Sequence, residues 1–306
     1  MKKATLLTRI LALSFLSSTL LISCKKDQSG DLTPAEEEEI ARISTESEAE
    51  SDLVYDDVFN NVMGVSNEVA IGGTGVFGRE ASGGKLLNPD SITCFTVTKT
   101  QLNAPAPFPV KVVIDFGTTG CTGADGHTRY GKVIIVYTGR LIFPGNMATT
   151  TFDGFHLDSI AVTGTHQIRN TTAAGSNQRQ FTVEVTDAKL TKPSGNFIRW
   201  NSHKVITQVE GNATPVPVDD VFRITGQSHG RVLRGNLLFE WTSEILDPLI
   251  KRFNCPWISK GVIRTKRSTL SNTSPWVATL NFGQGTCDFL AVLTINGVVH
   301  NIQLPH

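Results

Sequence analysis

The chain predicts an all-β body preceded by a short α-helical segment, and three observations carry that reading. Past Gly64, short runs rich in Val, Ile, Thr and Phe alternate with Gly, Asn and Pro, the texture of strands and turns. Phe181-Thr182-Val183-Glu184-Val185-Thr186 alternates apolar and polar residues strictly, as a strand with one buried face does. Asn296-Gly297 separates the apolar runs 291–295 and 298–302, the strongest two-residue hairpin signal. Roughly a dozen such strands can be counted. Strands joined by tight turns pair antiparallel, so a meander or sandwich-like body is expected. Thr138-Gly139 and Gly235-Asn236 mark two further turns, and only 246–251 reads as a helical turn after residue 64.

Ahead of that body, Thr33-Pro34-Ala35-Glu36 has the form of a helix start, with Thr as N-cap, Pro at the first helical position and Glu closing a capping box. Val54, Val58 and Val62, with Phe59 and Met63, recur at helical spacing and predict a second short helix, with Gly64 as its stop.

The first residues read as a signal. Lys2, Lys3 and Arg9 precede an apolar stretch over 10–21 that is too short to span a bilayer. It ends in Leu21-Ile22-Ser23-Cys24, which resembles the lipobox cleaved by bacterial lipoprotein signal peptidase. That resemblance implies a mature chain beginning at Cys24, with diacylglycerol on its sulfur and a further acyl chain on its amino group. Several acyl chains give stable attachment, so membrane lipid is the expected partner. Lys25, rather than Asp, resembles the outer-membrane sorting pattern.

Removing 23 residues leaves 306 − 23 = 283, enough for a sizeable core. The zero net charge hides an asymmetry. From Asp31 to Asp57 there are eleven acids against Arg42 alone, while from Val58 onward there are sixteen acids and twenty-two Lys and Arg. The acidic stretch is expected as a solvated tether or helix, neither a nucleic-acid module nor a metal module. The expected organisation is a signal over 1–23, an acidic tether and helical segment over 24–64, and a β body over 65–306.

Two segments near 94–141 and 255–304 look like copies of one unit. One runs from Cys94 through Lys99 to Asp115-Phe116-Gly117 and Cys121. The other runs from Cys255 through Lys260 to Asn281-Phe282-Gly283 and Cys287. In both, Lys stands five residues after the first Cys, and the second Cys stands six after the Asp or Asn. Each reads as strand, turn and strand, with turns near 103–107 and 272–275. That geometry predicts Cys94–Cys121 and Cys255–Cys287 disulfides among the three pairings four cysteines allow, in a compartment that permits them.

Several motif matches lack the context their chemistry needs. Gly226-Gln227-Ser228-His229-Gly230 fits the nucleophile elbow, but the segment after Ser228 reads as another strand where that motif opens a helix, so a glycine-rich turn is expected. Gly73, Gly75 and Gly78 match a dinucleotide fingerprint without a βαβ unit. Asp115-Phe116-Gly117 reads as a hairpin corner. Asp219-Asp220, or Glu244 with Asp247, could supply paired carboxylates for glycoside hydrolysis. Asp125 and His127 could ligate a metal, but two ligands do not make a site. Trp200 and Trp241 could form a sugar platform and are read instead as core anchors.

The layout of lipobox, acidic segment and β body ending in Gly285-Thr286-Cys287-Asp288 and a terminal hairpin resembles uncharacterised envelope lipoproteins of Bacteroidota. Asp90-Ser91-Ile92 and Asp158-Ser159-Ile160 resemble the O-glycosylation acceptor of that group, which makes Ser91 and Ser159 candidate sites. The resemblance implies no activity. The expectation is a non-catalytic binding or structural module on the outer membrane, without cofactor, metal or nucleic acid. The alternative is an envelope hydrolase of glycans or esters built on Ser228 with His229 or on the carboxylates above.

Overall fold

The computed structural model describes residues 26–27, 32–63, 94–123, 125–212 and 219–304. Cys24, Ser91 and the Gly73 to Gly78 match lie outside them. The elements are β1 (Lys26–Asp27), α1 (Pro34–Met63), β2 (Thr96–Gln101), β3 (Val110–Asp115), β4 (Cys121–Thr122), β5 (Thr128–Tyr137), β6 (Met147–Leu157) and β7 (Ile160–Asn170). The chain continues through β8 (Gln180–Thr191), β9 (Phe197–Glu210), β10 (Val221–Arg234), β11 (Leu237–Arg252), β12 (Ile258–Arg267), β13 (Ala278–Gln284), β14 (Leu290–Ile295) and β15 (Val298–Gln303).

The strands form one sheet that follows chain order from β2 to β15, with β4 set aside against β5 and β1 against β11. Neighbours are antiparallel, except that β1 pairs in parallel with Leu237 and Leu238. The expected meander is therefore the observed one. Gly235-Asn236 and Asn296-Gly297 make two-residue turns, and Asn296 and Gly297 take φ of 50° and 73° as a primed turn requires. The turn expected at Thr138-Gly139 is longer: β5 ends at Tyr137 and β6 begins at Met147. The segment 246–251 is strand rather than helical turn, lying in β11 where the pairing with β12 slips twice between Ile245 and Ile250.

Both repeat copies close as expected, with Cys94–Cys121 and Cys255–Cys287 bonded at Cα separations of 5.3 and 5.8 Å. Their Phe-Gly corners are built alike. Gly117 N donates to Asp115 Oδ1 at 2.9 Å, and Gly283 N donates to Asn281 Oδ1 at 2.9 Å. The short Asx acceptor turns the chain, which is why Asp and Asn interchange there. Phe116 and Phe282 enter the core beside these corners.

The helical segment differs from expectation. One 30-residue helix replaces two short ones, and it starts as the capping box predicts: Thr33 N donates to Glu36 Oε2 at 2.9 Å and Glu36 N to Thr33 Oγ1 at 3.3 Å. Nor is it a solvated tether. Ile40, Val54, Val58 and Val62 are at most 1% exposed, and α1 lies against the inner face of the sheet, touching strands from β6 to β14. Burying one such aliphatic side chain contributes about 1.5–3 kcal/mol. The polar residues that would oppose burial satisfy themselves. Ser44, Thr45 and Ser51 return their hydroxyls to the carbonyls of Ile40, Ala41 and Ser47 at 2.7–2.9 Å.

Charge explains the rest. The acids of α1 meet the cations of the basic body: Glu37 with Arg267, Glu46 with Arg234, Glu50 with Lys192, Asp52 with Lys204, Asp56 with Lys251 and Asp57 with Arg129. The asymmetry visible in the sequence is the two halves of one interface.

Candidate functional site

Glu48 is the polar centre of the interior. It is 3% exposed, and its Oε2 accepts from the indole Nε1 of Trp200 and of Trp241, each at 3.0 Å. Its Oε1 accepts the Ser228 hydroxyl at 2.5 Å. A buried carboxylate is tolerated only when its lone pairs are met, and here three donors meet them.

The strand register builds this cluster. Gly230 pairs with Trp200 on β9 and with Trp241 on β11. A Cβ on Gly230 would stand 2.3 Å from Trp241 Cη2, so a glycine is what lets the two indoles converge. One level along, Ser202, Ser228 and Ser243 face one another across β9, β10 and β11. The row continues to Thr265 on β12 and, through Val185 on β8, to His166 on β7. Such short side chains across the middle of the sheet leave a trough for α1.

The pentapeptide 226–230 is thus strand interior, not the expected turn. Gly226, at φ 146°, lets β9 pass so closely that a Cβ there would meet His203 O at 2.3 Å. Ser228 points inward to Glu48, and His229, its neighbour, lies exposed on the other face. Trp200 and Trp241 are 1% and 0% exposed, anchors of the core rather than a surface platform.

Between α1 and the sheet runs a cavity of about 550 Å³. Leu53 and Phe59 face it from the helix, and Ile206, Phe222, Leu249, Ile263 and Phe282 from the strands. Its size and its mostly apolar walls are those of a small-molecule site.

The charged groups on its wall are paired. Asp52 bonds Lys204; burial, opposed by Lys204 and reinforced by Glu48, lifts the Asp52 carboxyl to about 6. Burial pulls the Lys204 ammonium down, but Asp52 and Glu48 outweigh it and hold Lys204 above its ordinary value. Lys251 Nζ stands 2.9 Å from Asp56 and donates to Pro256 O at 2.6 Å. Asp57 and Asp125 also line it, and both are held by Arg129, which is 2% exposed and outside the lining, with contacts of 2.5 Å to each.

His166 is the exception. It lines the cavity, is 0% exposed, and neither ring nitrogen meets a hydrogen-bond partner. Burial pushes its imidazole down to about 3, so it is neutral at ordinary pH. A buried polar group left unpaired costs about 1–3 kcal/mol. No sequence signal singles this histidine out. It sits at an inward-facing strand position where only the fold reveals what surrounds it.

The other candidates are engaged elsewhere. Asp125 accepts from His127 N at 3.0 Å and from Arg129; burial would raise its carboxyl, but Arg129 holds it below the usual range. His127 Nδ1 lies 2.9 Å from Asp158 Oδ2. Among the described residues no group of three His, Cys, Asp or Glu could hold a metal. Asp220 is buried and accepts from Gln208 Nε2 at 2.7 Å, while Asp219 lies exposed just ahead of it. Glu244 bonds Arg264 at 2.6 Å on the outer face, and Asp247 sits exposed where β11 slips against β12. Asp220 adjoins the first residue of β10, whereas Glu244 pairs with Gln227 farther along it, so these carboxylates are held at different levels of the sheet. Ser159 is exposed in the turn between β6 and β7, beside Asp158 at φ 54°.

Fold and site together define an antiparallel β meander packed on a largely buried helix, with a small-molecule-sized cavity between them. Compared with known proteins, the chain matches no family model, no curated sequence and no solved structure.

Proposed function

We propose that this is an outer-membrane lipoprotein, held by acyl chains on Cys24, whose β body is a non-catalytic binding module for an apolar small molecule. The observation that carries the reading is the cavity of about 550 Å³ between α1 and the sheet, walled mostly by aliphatic and aromatic side chains. Ser228, Asp220 and Glu244, the groups a hydrolase would use, each have a structural partner. An apolar ligand gains about 0.8 kcal/mol for each methylene it buries, enough for a medium-length chain to bind without any charged contact. The anchor and the exposed Ser159 acceptor belong to the same reading of an envelope protein.

Two measurements test it. Wild-type protein should partition into the detergent phase and Cys24→Ser into the aqueous phase; equal partitioning removes the anchor. The dye N-phenylnaphthylamine should gain fluorescence saturably with the Cys24→Ser chain; a linear, non-saturating response removes the binding site.

A further inference from the structure

We infer that the ligand is an uncharged apolar molecule carrying one hydrogen-bonding oxygen, a long-chain alcohol, ketone or ester, and that His166 is the residue that reads that oxygen. This rests on the cavity being a ligand site and adds the chemical class it takes.

Three observations converge on His166. Its side chain is wholly buried, lines the cavity, and keeps both ring nitrogens without a partner. Its cross-strand neighbour on β6, Thr150, is also wholly buried with an unpartnered hydroxyl, so two unmet polar groups sit side by side on the inner face. Tyr55 packs on the imidazole with ring centroids 5.9 Å apart, but its hydroxyl is already given to Thr163 O at 3.2 Å. Buried polar groups find partners in native proteins. A neutral imidazole offers one N–H donor and one bare nitrogen acceptor, so it serves a carbonyl or a hydroxyl equally.

The absence of charge in the ligand follows from the wall. Lys204 and Lys251, the lysines of the wall, are bound by Asp52 and Asp56, and the wall carboxylates Asp57 and Asp125 are held by Arg129 behind them. A carboxylate or phosphate would have to displace a resident carboxylate to gain a counter-ion. An uncharged oxygen reaching His166 displaces none.

The test uses octylbenzene and octanophenone, which differ by one carbonyl in place of a methylene, as displacers of N-phenylnaphthylamine from the full chain carrying Cys24→Ser. His166→Leu should weaken octanophenone about tenfold, the worth of one unmet buried hydrogen bond, and leave octylbenzene within about twofold. His166→Asn, which keeps a donor and an acceptor, should recover part of that loss. Unchanged octylbenzene affinity shows that the variant is folded and its cavity intact. If His166→Leu weakens both probes alike, or neither, the role of His166 is overturned while the cavity stands. If neither probe displaces the dye from the parent chain, the binding-module reading falls, and this inference with it.

Discussion

The Ser228 hydroxyl donates to Glu48 Oε1 at 2.5 Å across 180 residues of sequence. That bond ties the middle of β10 to the middle of α1 and gives the serine of a hydrolase-like pentapeptide a structural task. Removing the carboxylate would leave that hydroxyl and two indole N–H groups buried without an acceptor. Glu48→Ala should therefore cost about 3–5 kcal/mol of stability, read from urea unfolding. Ser228→Ala removes a single donor and should cost about 1–2 kcal/mol. A loss below that for Glu48→Ala would show that the cluster does not hold the helix.

Gly230 supplies the space for the cluster. Gly230→Ala places a methyl 2.3 Å from Trp241 Cη2 and forces the indole off Glu48. Overpacking of this kind costs about 1–3 kcal/mol. Near-ultraviolet circular dichroism should lose tryptophan signal in parallel, and a variant with wild-type spectrum and stability would disprove the convergence.

His166 gives stability a pH dependence whose sign is fixed. Burial holds the folded imidazole at about 3, against 6.5 in the unfolded chain. The unfolded chain takes up a proton that the folded chain refuses, so stability is lost as pH falls below 6.5. Between pH 7 and pH 5 the loss should be about 2 kcal/mol. Asp52 acts oppositely: its folded carboxyl, lifted from 3.8 to about 6, holds a proton longer, so its contribution grows as pH falls through that window. Comparing the parent with His166→Asn cancels Asp52 and isolates the imidazole. A difference in stability that does not change with pH would contradict the burial of His166.

How much of this was legible depends on what each signal encodes. Turn chemistry is local, so Asn296-Gly297 and Gly235-Asn236 announced their hairpins. The repeat fixed both disulfides because the spacing from Cys94 to Cys121 and from Cys255 to Cys287 is that of a strand returning beside its start. The helix misled because eleven acids ordinarily mean water; six of them meet cations of the β body up to 230 residues away, as Glu37 and Arg267 do. Gly226 and Gly230 read as a turn because a glycine gives the same signal whether it bends a chain or makes room for a neighbour. His166 gave no signal, since its lack of partners is a property of the assembled interior.

Each disulfide should stabilise by about 3–4 kcal/mol, because each closes a loop of 27 or 32 residues in the unfolded chain. The Cys94→Ser/Cys121→Ser and Cys255→Ser/Cys287→Ser pairs should each unfold at lower urea by that amount. Their effects should add, since the two bridges clamp separate repeat copies toward opposite ends of the sheet order. Strong non-additivity would indicate that the copies fold as one coupled unit.

The most direct measurement is dye binding to a chain whose cavity has been filled from the helix. Ala49 lines the space on α1, and Ala49→Phe places a ring at its helical wall. Titrated with N-phenylnaphthylamine in the Cys24→Ser background, the parent should bind saturably, and Ala49→Phe should lose about tenfold or more in affinity while keeping its unfolding midpoint, because the volume the dye needs is taken. Equal dye affinity in the two chains would contradict a ligand site between the helix and the sheet.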